Sequence, residues 1–550
     1  MFKKYLFFFF IILISLIPLG DLFNTGLPIT HDGLDHVIRL ANFYQNLSEG
    51  NIIPRWAANV NYGYGHPFPI FFYPLPYYIG SLFHFLGFSL INSTKLVFGV
   101  TYILSGVAMF IWIREFLGRS AALIASSLYI FAPYRFVDLY VRGAIGEHVA
   151  FVFLPIILYF LLKFSKEHSF FYIVCSGLLL AGLILTHNAI SLMFIPLIIL
   201  YGIYLFWQSE KKVKFIIYYL IFIIFGFLLS AFFWIPAFFE SKYTLVNIVT
   251  GGKEYTSSFV GLKSMLYDSW SYGGTGELSV QIGLIQIAII IGLVLWLFWF
   301  GRKRNRYFIF TVSILGILAI TIFLMTEQSA FVWENVILLH KFQFPWRFLT
   351  VVVFLTAVLG GLFFIKISKQ FQFLVFCAIL IAVLLLNKDY WHAKDYLLKN
   401  DNFFTAVQRT TTNDTGESSP IWSTRFMEAA PKARIEIVNG EEEVKELERS
   451  ITKHSYQVET EKMIRIRENT LYFPGWVVLV DGVETEIEFQ DPSNRGLITF
   501  YVNKGNHIVN VLYKETKIRL FSNAISFISL IISIVLIMLQ LTKRRMYNKK

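Results

Sequence analysis

Four polar knots interrupt an otherwise apolar chain, and each carries residue types that chemistry uses. The densest is Thr30–Tyr78, which opens THDGLDHVIRLANFYQNLSEGNIIPRW and continues NYGYGHPFPIFFYPLPYY. On a helix beginning near Asp32, residues Asp32, Asp35, His36 and Arg39 fall at i, i+3, i+4 and i+7 and share one face. Two carboxylates and an imidazole so placed suit a general base working near neutral pH, or a divalent cation. The plainer alternative is that Asp32 caps that helix in a capping-box arrangement with Asp35, which leaves His36 and Arg39 unexplained. The second knot is Arg142-Gly-Ala-Ile-Gly-Glu147-His148, the third His187-Asn188, the fourth Lys341-Phe-Gln343-Phe-Pro-Trp346-Arg347. Singly, each has a structural explanation: interfacial anchoring for Trp346 and Arg347, a helix-end hydrogen bond for His187. Ionisable groups at membrane depth are nonetheless costly and tend to mark sites.

What must position these knots is a bundle of membrane helices. The chain has 550 residues, 56% of them hydrophobic, with a mean hydropathy of +0.59, which excludes a soluble globular protein. Apolar runs long enough to cross a hydrocarbon core about 30 Å thick recur along it, and in lipid such runs must be helices. Expected crossings lie near 5–20, 93–113, 120–133, 148–164, 170–186 and 189–207. Six more lie near 214–235, 281–300, 307–324, 346–365, 371–387 and 520–541. The 58 Phe and 29 Tyr suit lipid contact and interfacial belts. The net charge of +12 does not point to nucleic acid, because the basic residues sit in short blocks between apolar runs. Cys175 and Cys377 both lie inside apolar runs, so no disulfide framework is expected. The opening MFKKYLFFFFIILISLIPLG is followed by no small-residue cleavage site and reads as an uncleaved first helix.

The connections REFLGRS, KFSKEHS, QSEKKVK, GRKRNR and KISKQ and the tail TKRRMYNKK are basic, and alternate connections are far less so. The positive-inside bias puts the basic set and both termini in the cytoplasm. Outside then fall 21–92, 134–147, 236–280, 325–345, 388–519 and the Thr186-His187-Asn188 corner, which brings all four knots to one side. Phe71–Phe88 is apolar but broken by Pro74 and Pro76; as a crossing it would invert every later basic loop, so an interfacial helix is expected. Residues 388–519 turn polar and strand-like, with Asp481-Gly482 separating two alternating runs as a hairpin turn does. Lys504-Gly505-Asn506 supplies another turn, and a helix is expected around Glu441–Ser450. The expected organisation is a transmembrane domain over 1–387, a β-sandwich-like domain over 388–519, and a last crossing with a basic cytoplasmic tail over 520–550. No Walker A sequence, dinucleotide fingerprint or paired CxxC is present, and Gly63-Tyr64-Gly65 sits in a turn-rich loop unlike a strand–helix phosphate loop.

With these elements in place the motifs resemble a known family. THDGLDH, IIPRWAANVNYGYGHP and FFYPLPYYIGSLFHFLG resemble the first outer loop of integral-membrane glycosyltransferases of the GT-C fold. They look closer still to the bacterial membrane proteins called "6-pyruvoyl-tetrahydropterin synthase-related", with kinship to the large YfhO-like proteins. RGAIGEH, THN, FPWRF and the distal YFPGWVVLVDG look like that branch too, so the resemblance spans most of the chain. The family label does not describe chemistry here: no soluble pterin-synthase domain and no zinc-binding histidine cluster is visible in the sequence.

The resemblance implies an α-helical polytopic membrane protein of about twelve crossings, GT-C-like, with a small extracytoplasmic β-rich domain near the C-terminus. It implies a transferase in a bacterial inner (plasma) membrane, moving a sugar from a polyprenyl-phosphate donor to an envelope glycan, lipid or protein. In that superfamily an acid of the first outer loop is essential, as base or metal ligand, and the matching position here is Asp32, with Asp35 and His36 as partners. The implied substrate contacts are Arg39, Arg55, Trp56, Tyr64, Arg142, Glu147, His187, Asn188, Trp346 and Arg347. Mg²⁺ or Mn²⁺ on Asp32, Asp35 and Glu147 would fit the same reading. The loop 236–280, with Gly251-Gly252 and Gly273-Gly274, would close over the donor, or is an ordinary connector. Two rival readings share the helices: a transporter or flippase of lipid-linked saccharide, and a non-catalytic envelope-assembly protein. A transporter should place ionisable residues at helix midpoints in related, interrupted halves; the knots lie at outer helix ends, which favours surface chemistry.

Overall fold

A computed structural model describes residues 2–249, 254–271, 278–300, 307–412, 415–440 and 442–547. The Gly251-Gly252 and Gly273-Gly274 pairs and the GRKRNR connection lie outside them. α1 (Phe2–Leu16) runs into a 3-10 turn, Ile17–Phe23, and the first long connection folds as α2 (Gly33–Ser48), α3 (Phe68–Phe71) and α4 (Leu75–Phe85). There follow α5 (Leu90–Leu117), α6 (Arg119–Ile130), α7 (Pro133–Phe136) and α8 (Ile145–Glu167). Next come α9 (Phe170–Ile184), α10 (Asn188–Gln208), α11 (Lys212–Leu229) and α12 (Ala231–Glu240). The short α13 (Val246–Val249) and α14 (Leu262–Leu266) precede α15 (Leu284–Phe300), α16 (Phe308–Met325), α17 (Ala330–Asn335) and α18 (Ile337–His340). α19 (Leu349–Phe364), α20 (Lys369–Asn387), α21 (Asp401–Thr405) and α22 (Lys517–Tyr547) complete the helices.

Among the described residues nine helices are long and apolar enough to cross a membrane, or ten when the pair Arg119–Ile130 and Pro133–Arg142, bent by 49°, counts as one. The shorter apolar helices Phe170–Ile184 and Leu284–Trp299 occupy the remaining expected positions. The span ending in α19 is 94% buried, whereas α20 and α22 are 11% and 17% buried. A packed centre is thus ringed by helices whose apolar faces have only lipid to meet. α4 has eleven residues, about 16 Å at 1.5 Å per residue, half of what a crossing needs. It lies instead against α2 and α5, where Gly80 lets Leu40 and Val97 approach.

Among the described residues ten strands complete the fold. β1 (Leu27–Pro28) pairs with β2 (Tyr396–Leu397), tying the first connection to the segment after α20. β3 (Ile435–Ile437), β4 (Val444–Arg449), β5 (Lys453–Thr460), β6 (Ile464–Leu471) and β7 (Trp476–Val480) follow, then β8 (Val483–Thr485), β9 (Leu497–Val502) and β10 (Gly505–Tyr513). They form two antiparallel sheets, β4-β5-β10-β7-β8 and β3-β6-β9, around one core of Tyr456, Ile466, Trp476, Phe500 and Val511. Asp481-Gly482, both at positive φ, closes the β7–β8 hairpin as the sequence suggests. The Lys504-Gly505 turn instead carries the chain from one sheet to the other, because β9 and β10 have different partners. The expected helix at Glu441–Ser450 is the edge strand β4, its outward residues charged as exposed edges usually are.

The membrane and β regions are fastened by buried contacts. Trp56 and Ile70 of the first connection, 1% and 0% exposed, belong to the β-region core. Arg519 at the start of α22 donates from Nε and Nη2 to Glu240 Oε2 at 2.9 and 2.8 Å, and to the Pro474 carbonyl at 2.9 Å. Arg519 is 0% and Glu240 2% exposed, so neither charge can turn to water if its partner goes. Arg519→Met alone should therefore cost about 3–5 kcal/mol, and the double replacement of Arg519 and Glu240 by Met should recover part of that loss. Thermal unfolding in detergent measures both; equal midpoints for the single and double variants would contradict the pairing.

Candidate active site

The sequence Thr30-His31-Asp32-Gly33 is built as a helix start in which the acid is not consumed by the cap. Asp32 occupies the cap position of α2 but makes no side-chain cap bond; the Thr30 hydroxyl accepts the Gly33 N–H instead, at 3.0 Å. Two backbone bonds pin this loop to a π-helical turn, Val137–Arg142: His31 N–H donates to the Val141 carbonyl at 2.9 Å and Asp32 N–H to that of Arg142 at 2.8 Å. Gly143 follows at φ +67°, and a side chain there would collide with the Thr30 hydroxyl. The Asp32 carboxylate, half-buried, has no hydrogen bond or ion pair among the described residues.

Behind it lies a buried charge knot. Arg142 Nη1 donates to Asp138 Oδ1 at 2.7 Å, Glu147 Oε2 at 2.6 Å and the Tyr134 hydroxyl at 3.0 Å. The Tyr134 hydroxyl donates on to Glu147 Oε1 at 2.9 Å, and Thr350 of α19 donates to the same oxygen. The Arg142 guanidinium stacks over the Trp346 ring, 4.7 Å from its centre. No partner meets its Nε or Nη2 among the described residues. Arg347 uses Nη1 for the Phe342 carbonyl at 2.9 Å and Gln343 Oε1 at 3.4 Å, while its Nε is buried without a partner. Asp32 lies within Coulombic reach of both arginines.

The facing wall is aromatic and imidazole. His36, 2% exposed, meets the Tyr77 hydroxyl through Nδ1 at 2.9 Å. Tyr73 stacks parallel to Tyr77 and to His187, the latter at 4.9 Å between ring centres. Arg39 donates to the Thr412 hydroxyl at 3.1 Å and to the Thr412 carbonyl, and lies 4.2 Å over the Phe72 ring. Asp35, half-buried, sits within the field of Arg39 and Tyr77. The knots read from sequence as separate thus share one mouth: Asp32, Asp35, His36 and Arg39 with Arg142, Glu147, His187, Trp346 and Arg347.

Not every expected residue joins them. Arg55 donates to the Phe232 carbonyl at 2.8 Å and Asn523 Oδ1 at 3.0 Å, a bracket between α12 and α22. Trp56 is packed edge-on to Trp476, 5.4 Å between ring centres, and is structural core. Tyr64 lies against the β region, its carbonyl accepting from Leu471 N–H. Asn188 is exposed and bonds the Phe71 carbonyl at 3.2 Å. Glu147 does not join Asp32 and Asp35 as a metal ligand, because Arg142, Tyr134 and Thr350 take its oxygens; among the described residues no three acid, imidazole or thiol groups gather around an ion-sized space. His36 is sealed in the wall, where it orients Tyr77. Asp138, Tyr134, Tyr73, Tyr77 and Thr350 went unread. For Asp138 a signal existed, since it precedes Arg142 by four residues.

The molecule is thus a polytopic helical membrane protein with one charged mouth beside a two-sheet β region. The model described as "6-pyruvoyl-tetrahydropterin synthase related domain; membrane protein" matches residues 70–396, more than half the chain, and the chain belongs to that family. A relative from Lactococcus lactis subsp. cremoris (strain MG1363), itself an uncharacterized protein, is 22% identical over 349 residues, covering 60% of this chain and 55% of its own. Among solved structures, the apo oligosaccharyltransferase of Archaeoglobus fulgidus aligns at TM-score 0.45 and 13% identity, over 76% of this chain and 62% of that one. ArnT from Cupriavidus metallidurans bound to undecaprenyl phosphate aligns at 0.38 and 13%, over 70% and 65%. The arabinofuranosyltransferase AftD from Mycobacteria aligns at 0.42 and 14%, over 69% and 26%. The chain spans about half the length of the curated relative and under two thirds of each solved chain. At these scores the likeness brings no chemistry with it.

Two histidines near the mouth give the molecule a pH dependence. Burial, then the fields of Arg39, His187 and Arg142, holds His36 well below its ordinary value. Burial and Arg39 bring His66, whose Nε2 meets the Ser419 hydroxyl at 3.2 Å, down to about 3. Below about pH 6.5 the unfolded chain therefore binds protons that the folded chain refuses, and stability falls as pH falls. Each histidine contributes up to about 1.4 kcal/mol per pH unit across that window. Unfolding midpoints between pH 6.5 and 4.5 should decline less steeply in His66→Gln than in the parent; parallel declines would contradict the assignment.

Proposed function

We propose that this protein is a GT-C-type glycosyltransferase, moving a sugar from a polyprenyl-phosphate donor to an extracytoplasmic acceptor in the envelope of a bacterium. The observation that carries the reading is the Asp32 carboxylate, held in place by backbone bonds yet unpartnered, beside two arginines with unfilled donors. A polar mouth flanked by apolar helices suits a substrate whose head group is charged and whose tail is lipid. The basic connections support an outer face of the plasma membrane for that mouth, where nucleotide sugars are absent and a lipid-linked donor is the chemical alternative. The family membership and the resemblance of THDGLDH to GT-C first loops support the same class.

In the reaction, Asp32 takes the proton of an acceptor hydroxyl as its oxygen attacks the anomeric carbon. The new carbon–oxygen bond forms while the bond from that carbon to the phosphate oxygen breaks. Polyprenyl phosphate leaves with the electron pair. Arg142 and Arg347 meet the charge that grows on it, in a site where fixed donors are worth more than in water. Asp35 and Tyr73 line the approach. A divalent cation, if the reaction uses one, would be held among the described residues by Asp32 and Asp35, and assays with and without EDTA read that requirement.

Purified protein with a panel of radiolabelled polyprenyl-phosphate sugars and envelope acceptor fractions tests the reading. Asp32→Asn should lower transfer by about a hundred- to ten-thousand-fold, with an unchanged melting midpoint because the carboxylate makes no cap bond. Retained transfer would remove the acid from the mechanism. Arg347→Gln should lower kcat by about a hundred-fold or more, with the loss read at saturating donor.

A further inference from the structure

The Gly63-Tyr64-Gly65 motif and the polar end of α2 lie away from the mouth and have no part in the chemistry above. Together with the β region they enclose a crevice of about 250 Å³. That is the share of liquid taken by about eight waters, below the range of drug-sized sites and near that of one sugar ring. Its walls are Gln45, Glu49, Asn59, Trp56, Tyr64 and Arg434, with His454 and Thr470 at the β side.

The polar walls are pre-set by one another. Asn59 Nδ2 donates to Gln45 Oε1 at 2.7 Å, and Glu49 Oε2 accepts the Ile451 N–H at 2.8 Å. Arg434 uses Nη1 for the Gly63 carbonyl at 2.8 Å, and no other bond engages its guanidinium among the described residues. The Tyr64 hydroxyl has no partner among them either. At Gly65, φ +77°, a side-chain carbon would come within 2.6 Å of the Trp56 ring, so only glycine lets the turn lie on that ring.

We propose that this crevice is a saccharide-binding subsite, taking one neutral sugar unit of an envelope polysaccharide. The charges argue for a neutral guest, since the Glu49 carboxylate, which accepts from Gln45 Nε2 at 3.3 Å and from Ile451 N–H, and the Arg434 guanidinium line the same space. Amides, a phenol and an arginine offer the mixed donors and acceptors that vicinal hydroxyls need. From Asp32 to Gln45 is thirteen residues along α2, about 20 Å at helical rise. A sugar held in the crevice is therefore remote from the reacting bond. It is a distal unit of the acceptor if the transferase reading holds, a clause on which binding itself does not depend.

The full chain in detergent, applied to an array of bacterial and plant oligosaccharides, tests this. The parent protein should bind at least one neutral glycan class. Gln45→Ala and Arg434→Ala should weaken it about tenfold or more, and Tyr64→Phe, which removes only an unpartnered hydroxyl, should weaken it less. Asp32→Asn should bind as the parent does, and melting midpoints confirm that each variant is folded. Binding to no glycan overturns the proposal. So does binding lost in Asp32→Asn but kept in the crevice variants, or capture of charged lipid headgroups or peptides alone. Crevice-dependent binding without any sugar transfer would keep the subsite and sink the transferase reading; transfer without such binding would do the reverse.

Discussion

A guanidinium withdrawn from water is costly to the fold unless groups close at hand answer its charge. Arg142 is 6% exposed, and the two carboxylates that answer it, Asp138 and Glu147, are 0% exposed. These groups come from the π-helical turn and from α8, Tyr134 comes from α7, and Thr350 brings α19 to the same oxygen. Satisfying one buried charge therefore fastens the innermost helices to one another. The same residue places the loop before α2, because its carbonyl receives the Asp32 N–H. The position of the unpartnered acid is thus a consequence of how the arginine is held.

The knot also decides which groups stay reactive. Glu147 spends both oxygens on Arg142, Tyr134 and Thr350, and Asp138 spends Oδ1 on Arg142. Asp32 is held only through its backbone and keeps its carboxylate for something else. Electrostatic preorganisation of this kind needs rigid supports, and here the supports are a bent helix, a capped helix and a stacked row, Tyr77, Tyr73 and His187.

Much of this was open to reading from residues. Long apolar runs are legible because lipid leaves the backbone one solution, and the convergence of Asp32, Glu147, His187 and Arg347 was legible from loop charges. Side-chain partners were not. Asp138 was passed over because 134–147 reads as a loop, whereas the chain there continues as a bent, π-helical extension of α6. Arg55, Trp56 and Tyr64 were expected at the mouth because they lie in the motif that resembles GT-C first loops. The chain in fact reverses at Gly50, φ +88°, and carries Trp56 and Tyr64 to the β region and Arg55 to α12 and α22. VKELER suits an exposed helix as well as an edge strand, and the choice was made by the open edge of β5, a partner no local pattern names.

The first connection borders both the mouth and the crevice, and both ends of α2 are fixed independently. Its start is pinned by the Val141 and Arg142 carbonyls. Its far end is pinned by Asn46 on the Trp56 carbonyl at 2.9 Å and by Glu49 on Ile451 at 2.8 Å. A helix held at both ends keeps its length, since shortening it by one turn would break either set of bonds. The interval between mouth and crevice is therefore a fixed property of the fold, about 20 Å. A single small guest cannot bridge such an interval, whereas a chain of sugars can. Under the two proposals taken together, a helix anchored this way suits a polymeric acceptor.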